Sequence, residues 1–261
     1  MRSDLGRRIL AAIPAVAVAI FLVERGGIIW AVGLAVVGVI CLHELYAMYD
    51  RAHPARLAGF LTLVGMIVAA HFGEQFQILG VMALGVPLTF FFVNLQPRGG
   101  APAIAVTIMG YAWVGVALAH AVLLRDLPHG DGIVVDVLVG TFLGDTGAYL
   151  GGRAFGSTPL APRISPNKTL EGLLFGVFVG VAAVWFAGLY QNWLSGVDAV
   201  ILGIAVAVAA PIGDLFESYL KRDAGTKDTG RLFGAHGGAL DRLDAVLFSI
   251  VAGFYVWSAM L

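Results

Sequence analysis

Residues 170–190 read LEGLLFGVFVGVAAVWFAGLY, with one charged side chain, Glu171, near the start. A helix of about 20 apolar residues crosses the roughly 30 Å hydrocarbon core of a bilayer, so this stretch predicts a transmembrane helix. Charged residues, Gly or Pro separate eight further apolar runs, at about 9–23, 28–42, 57–72, 76–94, 102–124, 133–150, 197–216 and 243–260. The sequence therefore predicts an all-α, polytopic integral membrane protein with about nine transmembrane helices.

The composition of the whole chain agrees with this class. The 261 residues are 59% hydrophobic and 13% charged, and the mean hydropathy is +0.88, outside the range of soluble globular proteins. We expect one membrane domain over residues 1–261, with scaffold helices mainly in 1–130 and catalytic helices and cytoplasmic loops in 131–261. A net charge of −1 with segregated charges argues against nucleic acid as a partner.

The distribution of basic residues predicts the orientation in the membrane. Lys and Arg near helix ends favour the cytoplasmic side. If the N-terminus is cytoplasmic, 14 of the 16 basic residues lie on inner segments and only Arg25 and Arg125 lie outside. We therefore expect a multi-pass protein of the cell inner (plasma) membrane whose active site faces the cytoplasm.

Most of the unusual polar residues lie in residues 213–244, GDLFESYLKRDAGTKDTGRLFGAHGGALDRLD. Asp214, Ser218 and Lys221 share one stripe of a helix, and Asp241 and Asp244 share a face at the start of the last span. Clustered carboxylates repel one another unless a cation lies between them, and hard oxygen ligands suit Mg²⁺. Charged groups at membrane depth usually face a polar cavity.

The same segment contains groups suited to binding phosphate. Its positive charges can neutralise phosphate oxygens, and its glycines let backbone N–H groups approach them. The basic residues are Lys221, Arg222, Lys227 and Arg231, and the glycines are Gly230, Gly237 and Gly238. The residues alone therefore predict metal-assisted phosphate chemistry at the inner membrane face.

The spacing of these residues resembles the signature of the phosphatidate cytidylyltransferases, also called CDP-diacylglycerol synthases. The matching positions are Ser218, Lys221, Arg222, Lys227, Asp228, Gly230, His236, Gly237, Gly238, Asp241, Arg242 and Asp244. Two upstream motifs are also similar, and they comprise Asp145, Tyr149, Gly152, Arg153 and Gly156, then Ser165, Pro166, Lys168, Thr169, Glu171 and Gly172.

The resemblance implies that CTP and phosphatidic acid react to CDP-diacylglycerol and pyrophosphate, with Mg²⁺ alone or with a second cation. It implies that Asp214 and Asp241 bind the metal. The expected catalytic residues are these two aspartates with Ser218, Lys221, Arg222, Lys227, Asp228, His236, Arg242 and Asp244. The expected substrate-binding residues are Asp145, Tyr149, Arg153, Ser165, Lys168, Thr169, Glu171, Gly237 and Gly238.

Several of these residues have an alternative role. Asp214 and Asp241 could form structural ion pairs with Arg222 or Arg242, and Thr169 could be a helix N-cap. Asp145 and Tyr149 could make helix–helix hydrogen bonds. Ser218 is favoured as a hydrogen-bonding group over a nucleophile, and His236 is open between packing, phosphate binding and proton transfer. His43 and Glu44 lack the second His of a zinc-protease helix, which favours an interfacial or helix-packing role.

Two other functions and one assembly are kept as alternatives. The lipid substrate could be an isoprenoid glycerol phosphate, or the chain could be a secondary transporter, although no half-to-half repeat is evident. Glycines recur every fourth residue at Gly140 and Gly144 and at Gly172, Gly176 and Gly180. This spacing predicts close helix packing within the chain, with a homodimer seam as the alternative.

Overall fold

The computed structural model describes residues 16–230 and 237–261, and most of these residues are helical. Within this range α1 covers residues 16–25. A 3₁₀ turn lies at Asp50–Ala52, and a π-helical turn lies at Tyr111–Gly115. The remaining helices are α2 (Gly27–Met48), α3 (Arg56–Phe72), α4 (Gln75–Asn94), α5 (Ala101–Gly110), α6 (Val116–Asp126), α7 (Gly130–Phe155), α8 (Leu170–Gly188), α9 (Gly196–Asp223) and α10 (Leu240–Met260).

The helices confirm the all-α, polytopic membrane class. In the described part of the chain, seven helical stretches are long and apolar enough to cross a membrane: α2, α4, Ala101–Asp126, α7, α8, α9 and α10. Helix α3 is apolar but shorter. Residues 9–15 of the first expected run lie outside the described residues, and both the count of nine spans and the cytoplasmic N-terminus stay predictions.

Two helices extend well beyond the apolar runs that predicted them. Helix α2 continues to Met48 rather than ending near 42, and α9 continues to Asp223 rather than ending near 216. Backbone hydrogen bonding needs no apolar side chains, so a helix can carry polar residues past the membrane core. The extensions matter because they hold Glu44 and the stretch from Glu217 to Arg222.

The chain folds into two compact units. The first comprises Met1–Asp126 and Asp228–Asp241, as far as these are described, and the second comprises Leu127–Lys227 and Arg242–Leu261. The signature segment is defined here as the described residues 228–230 and 237–241, and it packs with the N-terminal helices. The expected division into scaffold and catalytic halves near residue 130 stays a prediction.

The core of the first unit centres on a buried tyrosine. Tyr46 of α2 is fully buried, and its hydroxyl donates a 2.9 Å hydrogen bond to the Thr107 carbonyl of α5. Side chains at Gly59 and Gly110 would overlap the Tyr46 ring, so these glycines let α3 and α5 close around it. The Trp30 indole also donates to the Ala121 carbonyl and joins α2 to α6. Helix α2 is thus held on several sides.

Glycines bring the helices of the second unit into close contact. A Cβ atom at Gly176 of α8 would lie 2.9 Å from the Gly144 carbonyl oxygen of α7, and one at Gly180 would lie 3.1 Å from the Gly140 carbonyl oxygen. The glycine faces therefore pack within the chain, as predicted, because missing side chains let the two backbones approach. Whether the protein also dimerises stays a prediction.

A small β-hairpin connects α7 to α8 and was not predicted. Strand β1 (Pro159–Ala161) pairs antiparallel with β2 (Ser165–Thr169), with Pro159 opposite Thr169 and Ala161 opposite Ser165. The strands have three and five residues, too few for period-two alternation to reveal them in the sequence. The hairpin places Lys168 and Thr169 directly before α8.

Candidate functional site

A cavity of about 510 Å³ lies in the second unit, between the β-hairpin and helices α7, α8 and α9. It gathers residues from three separate stretches of sequence that were predicted as site residues. Its polar lining includes Asp145, Tyr149, Arg153, Lys168, Thr169 and Asp214, and its apolar lining includes Leu160, Leu173 and Pro211. The lining therefore combines charged and apolar side chains.

An ion pair between Lys168 of β2 and Asp214 of α9 lies in the lining of this cavity. Both side chains are about one-third exposed or less, so solvent screens the attraction only in part. The ion-pair alternative had named Arg222 as a partner of Asp214. Arg222 instead donates from Nε to the Ile164 carbonyl at 3.2 Å and links the end of α9 to the hairpin.

Two further carboxylates lie near Asp214. Asp145 of α7 and Asp244 of α10 both interact electrostatically with the Asp214 carboxylate, and Lys168 partly offsets this negative charge at Asp145. Asp244 also interacts with Glu217. Three helices thus contribute acidic groups to one region, which favours the presence of cations there.

Glu217 was not predicted as a site residue. Its side chain is fully buried on α9, three residues after Asp214, and it pairs with Lys221 at 2.5 Å. Lys221 therefore has a buried structural partner in the free protein. A carboxylate one turn from Asp214 and one turn from Lys221 was the sequence signal that could have identified Glu217.

Ser218 has a weak contact with the acidic region. Its hydroxyl lies 3.4 Å from Asp214 Oδ1, which is long for an O–H···O hydrogen bond. This placement agrees with a hydrogen-bonding role beside Asp214, and the role itself stays a prediction.

Thr169 is the N-cap of α8. Its hydroxyl oxygen accepts a 3.2 Å hydrogen bond from the Gly172 amide, so the N-cap alternative describes the structure. Thr169 also lines the cavity, where it could contact substrate. That contact stays a prediction. Ser165 begins β2, opposite Ala161, and does not line the cavity.

Glu171 organises the loop between α7 and β1. Its carboxylate oxygens accept hydrogen bonds of 2.7–3.2 Å from the amides and hydroxyls of Ser157 and Thr158. Glu171 does not line the cavity, and its predicted contact with substrate stays a prediction. The geometry shows a loop-holding role.

We expect Glu171→Gln to loosen this loop. Glutamine has one acceptor oxygen where the carboxylate has two, so some of the four donors lose their partner. Hydrogen exchange at the Ser157 and Thr158 amides should become several-fold faster. Glu74→Gln, at the exposed N-cap of α4, is the matched control and should leave these amides unchanged. Equal exchange in Glu171→Gln and the unmodified protein would contradict the assignment.

The first unit holds Asp241 in a second cluster. Asp241 Oδ2 accepts hydrogen bonds from the Thr229 amide at 3.0 Å, the Thr229 hydroxyl at 2.8 Å and the Gly238 amide at 2.7 Å. Gly237 has a φ of 81°, which favours glycine, and a side chain there would overlap the Asp241 carboxylate. Asp241 therefore holds Thr229 and Gly238 against the first turn of α10.

The remaining predicted residues are on the surface or outside the described chain. Lys227, Asp228 and Arg242 are exposed. His236 and Arg231 lie outside the described residues, so their predicted roles stay predictions.

The sequence model of the cytidylyltransferase family matches residues 6–260. The chain belongs to the cytidylyltransferase family. A phosphatidate cytidylyltransferase of Staphylococcus aureus (strain COL) is 31% identical over 254 residues, which cover 92% of this chain and 94% of the relative. Phosphatidate cytidylyltransferases of Mycobacterium bovis and Mycobacterium tuberculosis (strain CDC 1551 / Oshkosh) are each 29% identical over 242 residues. Those 242 residues cover 84% of this chain and 79% and 74% of the respective relatives.

Membership in the cytidylyltransferase family confirms the resemblance that the signature indicated. It makes the protein a nucleotidyltransferase and extends the similarity to N-terminal spans that carry no motif of their own. The metal of this cytidylyltransferase stays a prediction. Within residues 16–230 and 237–261, no group of three or more His, Cys, Asp or Glu side chains is arranged to hold a metal ion. The donor chemistry of Asp214 and Asp241 nevertheless suits Mg²⁺.

The most informative residue that sequence reasoning left out of the site of this cytidylyltransferase is Glu44. The sequence favoured an interfacial or helix-packing role for it. In the structure the buried Glu44 carboxylate accepts hydrogen bonds from the Ala239 and Leu240 amides. No local pattern could connect residues so far apart in the chain.

Proposed function

We propose that this protein transfers the cytidylyl group of CTP to phosphatidate, forming CDP-diacylglycerol and pyrophosphate for phospholipid biosynthesis. The observation that carries the proposal is the similarity to a phosphatidate cytidylyltransferase over 92% of the chain. The twelve signature positions present in this sequence support it. They also favour phosphatidate over the isoprenoid lipid that the sequence alone left open.

In the proposed reaction, an oxygen of the lipid phosphate forms a bond to the α-phosphorus of CTP. The bond from that phosphorus to the oxygen bridging to the β-phosphate breaks, and its electron pair leaves with pyrophosphate. The protein must position the phosphates and offset their negative charge. Arg153 and Lys168 supply positive charge in the cavity, and Leu160, Leu173 and Pro211 supply apolar lining suited to the glycerolipid.

Mg²⁺ is the proposed cofactor, with Asp214 and Asp241 as the residues that would hold it. When bound, a divalent cation would neutralise charge on phosphate oxygens. The acidic groups Asp145 and Asp244 near Asp214 support cation binding, since their mutual repulsion falls when a cation is present. We also propose that the site lies on the cytoplasmic side of the inner membrane, because basic residues concentrate on the segments expected on that side.

The test is incorporation of labelled CTP into lipid by the purified protein in detergent, with phosphatidic acid and Mg²⁺. We expect CDP-diacylglycerol only in the complete mixture, and little product when an isoprenoid glycerol phosphate replaces phosphatidic acid. If product forms with the isoprenoid glycerol phosphate and not with phosphatidic acid, the assignment of phosphatidate as the substrate is wrong. If folded protein forms no lipid product but takes up solute in proteoliposomes, the proposed activity is wrong and the chain is a transporter.

A further inference from the structure

A buried carboxylate on α2 joins the N-terminal helices to the signature segment. We propose that Glu44 is a positioning residue: it fixes the conformation of residues 229–230 and 238–240 and thereby orients Asp241 for cytidylyl transfer. The inference rests on the proposed function and adds to it a residue outside the predicted site, in the part of the chain expected to be scaffold.

Glu44 caps the N-terminus of α10 from a distant part of the chain. Its side chain is only 6% exposed, and its two oxygens accept hydrogen bonds from the Ala239 amide at 3.0 Å and the Leu240 amide at 2.9 Å. The first amides of a helix have no partner within the helix. Gly238 and Ala239 have no side-chain oxygen that could cap α10 locally. The carboxylate of α2 therefore supplies what the local sequence lacks.

Two glycines of the signature segment make room for this carboxylate. A Cβ atom at Gly230 or at Gly238 would overlap the Glu44 carboxylate group. The resemblance assigned Gly238 to substrate binding. In the structure, Gly238 must lack a side chain because of the Glu44 carboxylate, whether or not substrate is bound. Gly230 and Gly238 must lack side chains because Glu44 lies against both.

The Glu44 contacts reach Asp241 through two shared neighbours. The Gly238 amide donates to Asp241, and Thr229 lies between the two carboxylates, with its hydroxyl 2.8 Å from Asp241 and 3.5 Å from Glu44. Burying a carboxylate raises the free energy of the folded state unless its oxygens accept hydrogen bonds. The hydrogen bonds from the Ala239 and Leu240 amides are therefore favoured in the folded protein. Removing Glu44 therefore releases the loop that orients Asp241.

The experiment compares Glu44→Ala and Glu44→Gln with the control Glu74→Gln, which changes an exposed helix-capping carboxylate of the same unit. At a temperature where all variants are folded, we expect Glu44→Ala to lower kcat about 100-fold, because misplacement by about 1 Å has such an effect. Glu44→Gln keeps one acceptor oxygen and should recover part of the loss. The KM for CTP should change much less than kcat. Unchanged kcat in folded Glu44→Ala would overturn the proposal.

Hydrogen exchange separates this inference from the proposed function. Glu44→Ala should speed exchange at the Ala239 and Leu240 amides while the core amides of α2 stay protected. If the unmodified protein makes no CDP-diacylglycerol, the proposed function fails, and the exchange result alone decides the structural role of Glu44. Unchanged exchange at both amides would overturn that role.

Discussion

Asp214→Asn is expected to lower cytidylyl transfer by about 1,000-fold or more while the protein still folds and inserts. Asparagine keeps the shape of the side chain and removes the charge that would bind a cation and that pairs with Lys168. Interactions that stabilise charge in a transition state contribute several kcal/mol, which corresponds to this range. The measurement is initial rate with saturating CTP and phosphatidic acid across a Mg²⁺ titration.

The matched control is Asp198→Asn, on the opposite end of the same helix, α9. Asp198 lies in the first turn and bonds to Ser195, away from the cavity lining. We expect near-normal rates from it. Lys168→Met tests whether Asp214 acts as a metal ligand or only as the ion-pair partner of Lys168. If only the ion pair matters, Lys168→Met and Asp214→Asn lose activity equally. The dependence of the rate on Mg²⁺ is then the same in both variants. Full activity in Asp214→Asn would exclude Asp214 as a metal ligand.

The second large effect is expected from Gly176→Leu. A Cβ atom at Gly176 would lie 2.7 Å from the Ala148 Cβ and 2.9 Å from the Gly144 carbonyl oxygen, so α7 and α8 must separate. Overpacking of this kind costs about 3 kcal/mol. Separation also displaces Asp145 on α7 from Lys168, which precedes α8, and a shift of about 1 Å can lower the rate about 100-fold.

Thermal unfolding in detergent and the CTP assay measure both consequences. Gly80→Leu in α4 is the control, because no atom lies within 4 Å of a Cβ placed there, and it should change neither quantity. If Gly176→Leu unfolds at the same temperature as the unmodified protein, the close packing of α7 on α8 does not limit stability.

The helical spans could be predicted because their signal is local. Each apolar run, such as residues 170–190, is long enough to cross the bilayer by itself, and a helix satisfies its own backbone hydrogen bonds. The ends were less predictable. Helices α2 and α9 continue into polar sequence, where hydropathy no longer reports the helix, and the β-hairpin between α7 and α8 has no periodic signal.

The candidate site was predictable in residue type and less so in partners. The spacing around Asp214 and Asp241 identified the family, because the chemistry of phosphate transfer restricts which residues serve at each position. The partners required the structure: Lys168 pairs with Asp214 where Arg222 or Arg242 had been the alternative, and Glu171 holds a loop. Such pairs join segments whose separation in sequence carries no information on distance.

Hydrophobic length and fixed motif spacing are properties of single segments, so the polytopic membrane class and the cytidylyltransferase signature can be recognised without a structure. The packing of residues 228–230 and 237–241 with the N-terminal helices, and the capping of α10 by Glu44, could be seen only in the folded chain. Which buried carboxylate meets which amide depends on how whole helices pack, and that choice is made by the sum of contacts along their faces.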